Sequence, residues 1–179
     1  MKHFLCQWLF HPFHGGTVEH MEHMERCGKI ASDQNNFMST NEYKASVTYA
    51  GDGYFIGTTP SGIPQLMDSK GDRHAAPTPL EMLLVSVAAC TAFDVQSILE
   101  KKRQDVTSYN VEITGTRAED HPRKFTAFHI NHIVHGRGVS EKALADAVEL
   151  SDTKYCSVAA TVRPTATITT SYEIVEAEG

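Results

Sequence analysis

Thr78-Pro-Leu-Glu-Met-Leu-Leu-Val-Ser-Val-Ala-Ala-Cys90-Thr-Ala-Phe-Asp94 is a helix whose start is written into the sequence. Thr78 is an N-cap residue, Pro79 suits the first helical position, and Glu81, three residues after Thr78, completes a capping box. Strong helix formers follow, with Leu80, Leu83, Leu84, Val87, Ala88, Ile98 and Leu99 at the apolar positions. The pattern carries the helix to Lys101, Lys102 and Arg103, whose positive charges complement the carbonyl end of the helix dipole. Between Leu83 and Ala92 the segment is apolar on nearly all sides, which predicts a buried helix.

Strand patterns surround this helix. On its N-terminal side, Tyr43 to Tyr49 alternates, Gly51-Asp52-Gly53 turns, and strands follow around Tyr54–Thr58 and Gln65–Met67, before a loop from Ser69 to Pro77. On its C-terminal side, Tyr109 to Thr114 alternates cleanly, and a second run extends from Phe125 to His135. Ser140 then caps an amphipathic helix carrying Leu144, Ala147 and Val148, and a short helix begins near Cys156. Arg163-Pro164 ends that helix, and the last strand covers Thr167 to Ile174. The order βββ-α-ββ-α-α-β is α+β, with a mostly antiparallel sheet expected.

With 179 residues and 41% hydrophobic content, the chain can bury one sizeable core. The net charge of -6 and the lack of a basic run argue against nucleic acid as a partner. The longest apolar stretch, Leu83 to Ala89, is shorter than the roughly 20 residues of a membrane span. Four cysteines in a chain this long do not make a secreted disulfide scaffold. The N-terminus resembles a signal peptide only faintly, since Gln7 interrupts its apolar run and no cleavage pattern follows His11-Pro12-Phe13-His14. A reducing cytoplasm is the expected location.

Residues 1–40 read differently from 41–179, which form the domain. Cys6, Cys27, Trp8 and five of the ten histidines fall in this extension, which lacks periodicity and is expected to be able to stay disordered. His20 and His23 would share a helix face and could hold a metal, although an ill-packed extension is the simpler reading. Met38 is a second candidate for the natural start.

Two cysteines carry the candidate chemistry. Cys90 lies mid-helix on one face with Leu83, Ser86, Val87 and Asp94. It is too deep in the helix to gain from the dipole, so activating its thiol requires a cationic neighbour from elsewhere, and a buried inert cysteine is the default local reading. Cys156, at a helix start, faces free backbone N–H groups, so by dipole alone it should be the more acidic thiol. His129, His132 and His135 share one strand. Only His129 and His135 point the same way, which suits strand histidines better than a metal site.

The helix Pro79-Leu80-Glu81…Ala88-Ala89-Cys90, the later Tyr155-Cys156-Ser157-Val158 and the order of elements around them resemble the OsmC/Ohr family of peroxide-stress proteins, over roughly Tyr43 to Val175. The resemblance implies an intertwined homodimer whose sheets wrap the two Cys90 helices, with active sites near the subunit interface. It further implies that Cys90 attacks a small hydroperoxide, that Cys156 condenses with the resulting sulfenic acid, and that a dithiol reductant reopens the disulfide. No cofactor and no metal are implied.

One departure concerns activation. The resemblance is to a family whose best-characterised members carry a glutamate ten residues before the first cysteine, paired with an arginine from the N-terminal strands, whereas here that position is Leu80 and no arginine lies between Arg26 and Arg73. Glu81, Arg73 and Asp94 are the supporting candidates in their place, with His74 or a partner-subunit histidine as further substitutes; Asp94 could equally cap or pair with Lys101 or Lys102. Substrate is expected to enter an apolar pocket lined by Leu83, Val87 and side chains of the subunit interface. The leading expectation is thus a cysteine-based hydroperoxide reductase. The alternatives are a weakly reactive binder of an apolar small molecule at the dimer interface, and a redox sensor.

Overall fold

A computed structural model describes residues 42–177, so the extension with Cys6, Cys27, His20, His23 and Met38 lies outside the described residues. The described chain falls into two units, one with the residues up to Val47 and Gly57–Gln65, the other with Thr48–Ile56 and Leu66 onward. Strands β1 (Ser46–Gly51), β2 (Tyr54–Thr58) and β3 (Pro64–Asp68) form a three-stranded sheet in that order. The rest of the second unit holds the candidate chemistry.

Helix α1 spans Pro79–Lys101 and opens as its sequence predicts. The Glu81 N–H donates to Thr78 Oγ1 (3.3 Å), and the Thr78 N–H donates to Glu81 Oε2 (2.6 Å), so two orphan donors are satisfied reciprocally. By length and mean hydropathy (1.8) α1 is apolar enough to cross a membrane, contrary to the count from its longest uninterrupted run. Its apolar character is only partly used in the core of this chain. Val87, Thr91, Val95 and Leu99 form a buried face, while Val85 and Phe93 remain 61% and 74% exposed. Within this chain, one face of α1 lies in the core and the face bearing Val85 and Phe93 is uncovered.

The second sheet runs β4 (Asp105–Arg117), β5 (Phe125–Arg137) and β6 (Thr167–Glu176), in that order. Pairing of β4 with β5 is antiparallel, as expected, but β5 and β6 pair in parallel from Ala127↔Thr167 to Gly136↔Glu176. A parallel neighbour cannot follow a tight hairpin and needs a crossover. Helices α2 (Glu141–Leu150) and α3 (Ser157–Val162) lie on that crossover. Between them, Ser151–Tyr155 forms a single π-helical turn that the sequence did not announce.

Two apolar clusters hold the helices to this sheet. Val95 and Leu99 of α1 pack with Val134, Val139, Leu144, Ala147 and Val148. Leu80, Leu83 and Leu84 pack around Phe125, Phe128 and Ala166. Gly115 in β4 permits this second contact, because a Cβ there would lie 2.5 Å from the Phe125 ring and 2.8 Å from Leu84 Cδ2. Strand alternation in β5 also follows expectation: His132 is fully buried, His129 is exposed, and His135 is half-buried. The Tyr109 hydroxyl and His132 Nδ1 share a 2.6 Å hydrogen bond, while His132 Nε2 makes none among the described residues. Burial pushes the His132 imidazole down to about 4 and raises the Tyr109 phenol above its ordinary range.

Two consequences can be measured. Gly115→Ala should lower unfolding free energy by about 1–3 kcal/mol, read as a shifted denaturant midpoint, because the added methyl overpacks a filled contact. The neutral, buried His132 gives a pH dependence. An unfolded histidine binds its proton below about 6.5, the folded one only below about 4, so stability falls as pH drops through that window. About 3 kcal/mol should be lost between pH 7 and pH 4 beyond the loss in a Tyr109→Phe/His132→Phe double variant, which replaces both partners with apolar rings. Parallel pH profiles for the two proteins would contradict this.

Candidate functional site

Cys90 and Asp94 stand one helical turn apart on α1, a spacing that places both side chains on one face. The crossover meets them there. Ser151 opens the π-helical turn, and the Cys156 N–H donates to the Ser151 carbonyl at its close (3.0 Å), so the turn places Cys156 over α1. A hydroxyl chain locks the meeting. Ser151 Oγ donates to Asp94 Oδ2 (3.0 Å) and lies 2.9 Å from the buried Thr91 Oγ1. Ser151 has one hydroxyl proton, so while it donates to Asp94 the Thr91 hydroxyl must donate to Ser151.

The fold therefore brings the two thiols together. The Sγ atoms of Cys90 and Cys156 and a carboxylate oxygen of Asp94 all lie within 4.8 Å of one another. Both cysteines are free thiols; Cys90 is half-buried and Cys156 is buried. Cys156 is also the N-cap of α3, and the Ala159 N–H donates to its sulfur (3.3 Å). That bond favours a thiolate but is outweighed. Burial, with a contribution from the Cys90 side chain, pushes the Cys156 thiol up to about 12. The dipole-based expectation that Cys156 is the acidic thiol is thereby overturned, because desolvation exceeds what one N–H of a short helix returns.

The supporting candidates separate. Asp94 lies at the thiols and is held by Ser151, not by Lys101 or Lys102; Lys102 Nζ instead pairs with Asp146 (2.7 Å). Glu81 is committed to the cap of α1, where Thr78 holds its carboxylate. Arg73 is engaged by Asp68 through Nε (3.1 Å) and Nη2 (2.7 Å), by Asp52 through Nη1 (2.7 Å), and by the face of Tyr54. Leu80, at the position where the family's activating glutamate was expected, packs into the Phe125–Phe128 cluster. Among the described residues, no cationic side chain hydrogen-bonds to either sulfur or to Asp94.

This chain by itself forms a cavity beside Cys156. Val87 is fully buried and Leu83 packs in the core. The space beside Cys156, about 450 Å³, is lined by Asp152, Thr153, Lys154, Ala160, Arg163 and Pro164. Arg163 is held there by Asp152 (2.6 Å), and Lys154 Nζ sits 5.3 Å from the Tyr155 ring centre. Thr91 and Ser151 were missed by the sequence reading. The only signal for Thr91 is a hydroxyl within an apolar helix, and Ser151 becomes visible only once the π-helical turn is known.

Comparison with known proteins adds a family. Residues 70–171 match the model of the OsmC-like protein family. Protein YhfA of Escherichia coli K12 is 47% identical over 124 residues, which is 69% of this chain and 91% of that protein. A hypothetical protein from Aquifex aeolicus superposes with a TM-score of 0.70 at 32% identity, over 78% of this chain and 100% of its own. An organic hydroperoxide resistance protein from Elizabethkingia anophelis shares the fold at a TM-score of 0.55 and 11% identity, over 78% of this chain and 100% of its own.

Proposed function

This chain belongs to the OsmC-like family, and on that premise we propose that it reduces small organic hydroperoxides or hydrogen peroxide through a Cys90/Cys156 disulfide cycle in a reducing cytoplasm. The observation that carries the reading is the approach of two free thiols, one half-buried and one buried, to within 4.8 Å. Cys90, the more accessible sulfur, attacks the peroxide. An S–O bond forms, the O–O bond breaks, and the departing alkoxide or hydroxide takes up a proton. Asp94, whose carboxylate lies within 4.8 Å of the Cys90 sulfur, is the candidate acceptor of its proton. The Cys156 sulfur then attacks the sulfenic acid, forming the S–S bond and releasing water. A dithiol reductant supplies two electrons and two protons, reopening the disulfide and becoming oxidised itself. Arg73 and Glu81 take no part in this reading.

We read the assembly as a homodimer. The exposed Val85 and Phe93 on α1 support a second copy packing on that face, since side chains this apolar are seldom left in water on a long core helix. A second reading, a weakly reactive binder of an apolar small molecule at that interface, draws support from Leu80 replacing the activating carboxylate.

Peroxide chemistry is tested on the reduced protein. Added tert-butyl hydroperoxide or hydrogen peroxide should consume two titratable thiols and yield a Cys90–Cys156 cross-link by peptide mapping. Cys90→Ser should abolish consumption. Cys156→Ser should leave a sulfenic acid that a dimedone probe captures after one turnover. Unchanged thiol counts in folded protein under excess peroxide would favour the binding reading. The assembly is tested by light scattering: the wild type should be dimeric and a Val85→Asp/Phe93→Asp variant monomeric, whereas a monomeric wild type would sink the interface.

A further inference from the structure

The same three side chains satisfy a second chemistry. We propose that Cys90, Cys156 and Asp94 form a binding site for a thiophilic divalent cation, Zn²⁺ foremost, with the fourth coordination position left to water. The inference stands apart from peroxide reduction, since it requires only that the three donors converge.

Convergence is what the structure supplies. Two sulfurs and one carboxylate oxygen lie within 4.8 Å of one another. Around a tetrahedral Zn²⁺, bond lengths of about 2.3 Å to sulfur and about 2.0–2.2 Å to oxygen put donor atoms roughly 3.5–3.8 Å apart. Small side-chain rotations close that difference. Cys90 and Asp94 share one rigid helix, so their relative placement is set before any ion arrives.

Orientation of the carboxylate is also built in. Ser151 donates to Asp94 Oδ2, with Thr91 behind it, and Oδ1 carries no hydrogen bond among the described residues. A carboxylate held through one oxygen presents the other, which is how hydrogen-bonded partners orient a metal ligand. The local charge agrees. Arg163 is taken by Asp152, and Lys102 by Asp146. Two sulfurs and a carboxylate therefore face one another without a positive side chain among them, and a thiolate pair selects a soft or borderline cation over Mg²⁺ or Ca²⁺. Loading exchanges two S–H bonds for two S–metal bonds and releases two protons to solvent.

The test uses the full chain carrying Cys6→Ser and Cys27→Ser, fully reduced and titrated with Co²⁺. The expected result is a near-ultraviolet thiolate-to-cobalt band with tetrahedral visible bands, saturating at one ion per chain and bleached by stoichiometric Zn²⁺. About two protons should be released per ion at a pH where both thiols are protonated. Cys90→Ser should remove most of the thiolate band. Asp94→Asn, checked for native circular dichroism, should keep a thiolate band but weaken binding about 10–100-fold. Histidines in residues 1–40 give no thiolate band, so weak binding there is not mistaken for this site. Absence of the band at millimolar Co²⁺, or a band indifferent to both Cys90→Ser and Asp94→Asn, would overturn the proposal. Peroxide-driven thiol loss is measured on chelator-treated protein, so either proposal can fail while the other holds.

Discussion

Thr91 and Ser151 are buried hydroxyls from segments 60 residues apart, and each is satisfied by the other. A buried hydroxyl without a partner costs about 1–3 kcal/mol, so sliding α1 against the crossover would leave two such groups orphaned. Apolar contacts around Val95 and Leu99 press the elements together but tolerate small shifts, being non-directional. The hydroxyl pair removes that freedom. It fixes the register at which Cys90, one residue before Thr91, meets Cys156, which the π-helical turn places five residues after Ser151.

Topology explains why the second thiol lies where it does. Because β6 joins β5 in parallel, the chain must cross back along the sheet between them, and α2, the π-helical turn and α3 make that crossing. α1 packs against β4 and against the crossover helices, so any residue on the inner side of the crossing can reach it. The π-helical turn inserts an extra residue into the helical ladder and re-aims the backbone at Cys156, a use such turns often serve at functional positions. Gly115 completes the arrangement from the other side by letting Leu84 and Phe125 close over the strand.

Much of this was legible in the sequence. The capping box at Thr78 and Glu81, the alternation of β5 and the Ser140 cap are local patterns whose physics is contained within a few residues, and each is found in the structure. The α+β order was legible for the same reason. What could not be read depends on partners distant in the chain. Parallel pairing of β5 with β6 leaves no mark on either strand. The thiol ranking failed because a dipole argument sees Cys156 at a helix start but cannot see that it is buried. Arg73 looked available as a free cation, yet the buried Asp68 and the exposed Asp52 both claim it. Even the apolar run of α1 was half-read: its composition announces burial but not whether one chain provides all the cover.

Asp94 has a role in both proposals. A carboxylate beside a thiol opposes thiolate formation through charge, unless it accepts the thiol's proton or a cation neutralises the group. A glutamate–arginine pair would resolve the conflict with a built-in cation; here Leu80 fills the glutamate's position with core packing and Arg73 is engaged elsewhere. Two resolutions remain with the side chains present. In the peroxidase proposed above, Asp94 would serve as the proton acceptor and Cys90 as the nucleophile. In the cation site proposed above, all three groups would be charged and mutually satisfied, with the sulfur lone pairs committed to the metal. Both states draw on the same donor atoms, so they exclude one another. On the two proposals together, a cation bound at the Cys90–Cys156 pair would withhold both sulfurs from peroxide.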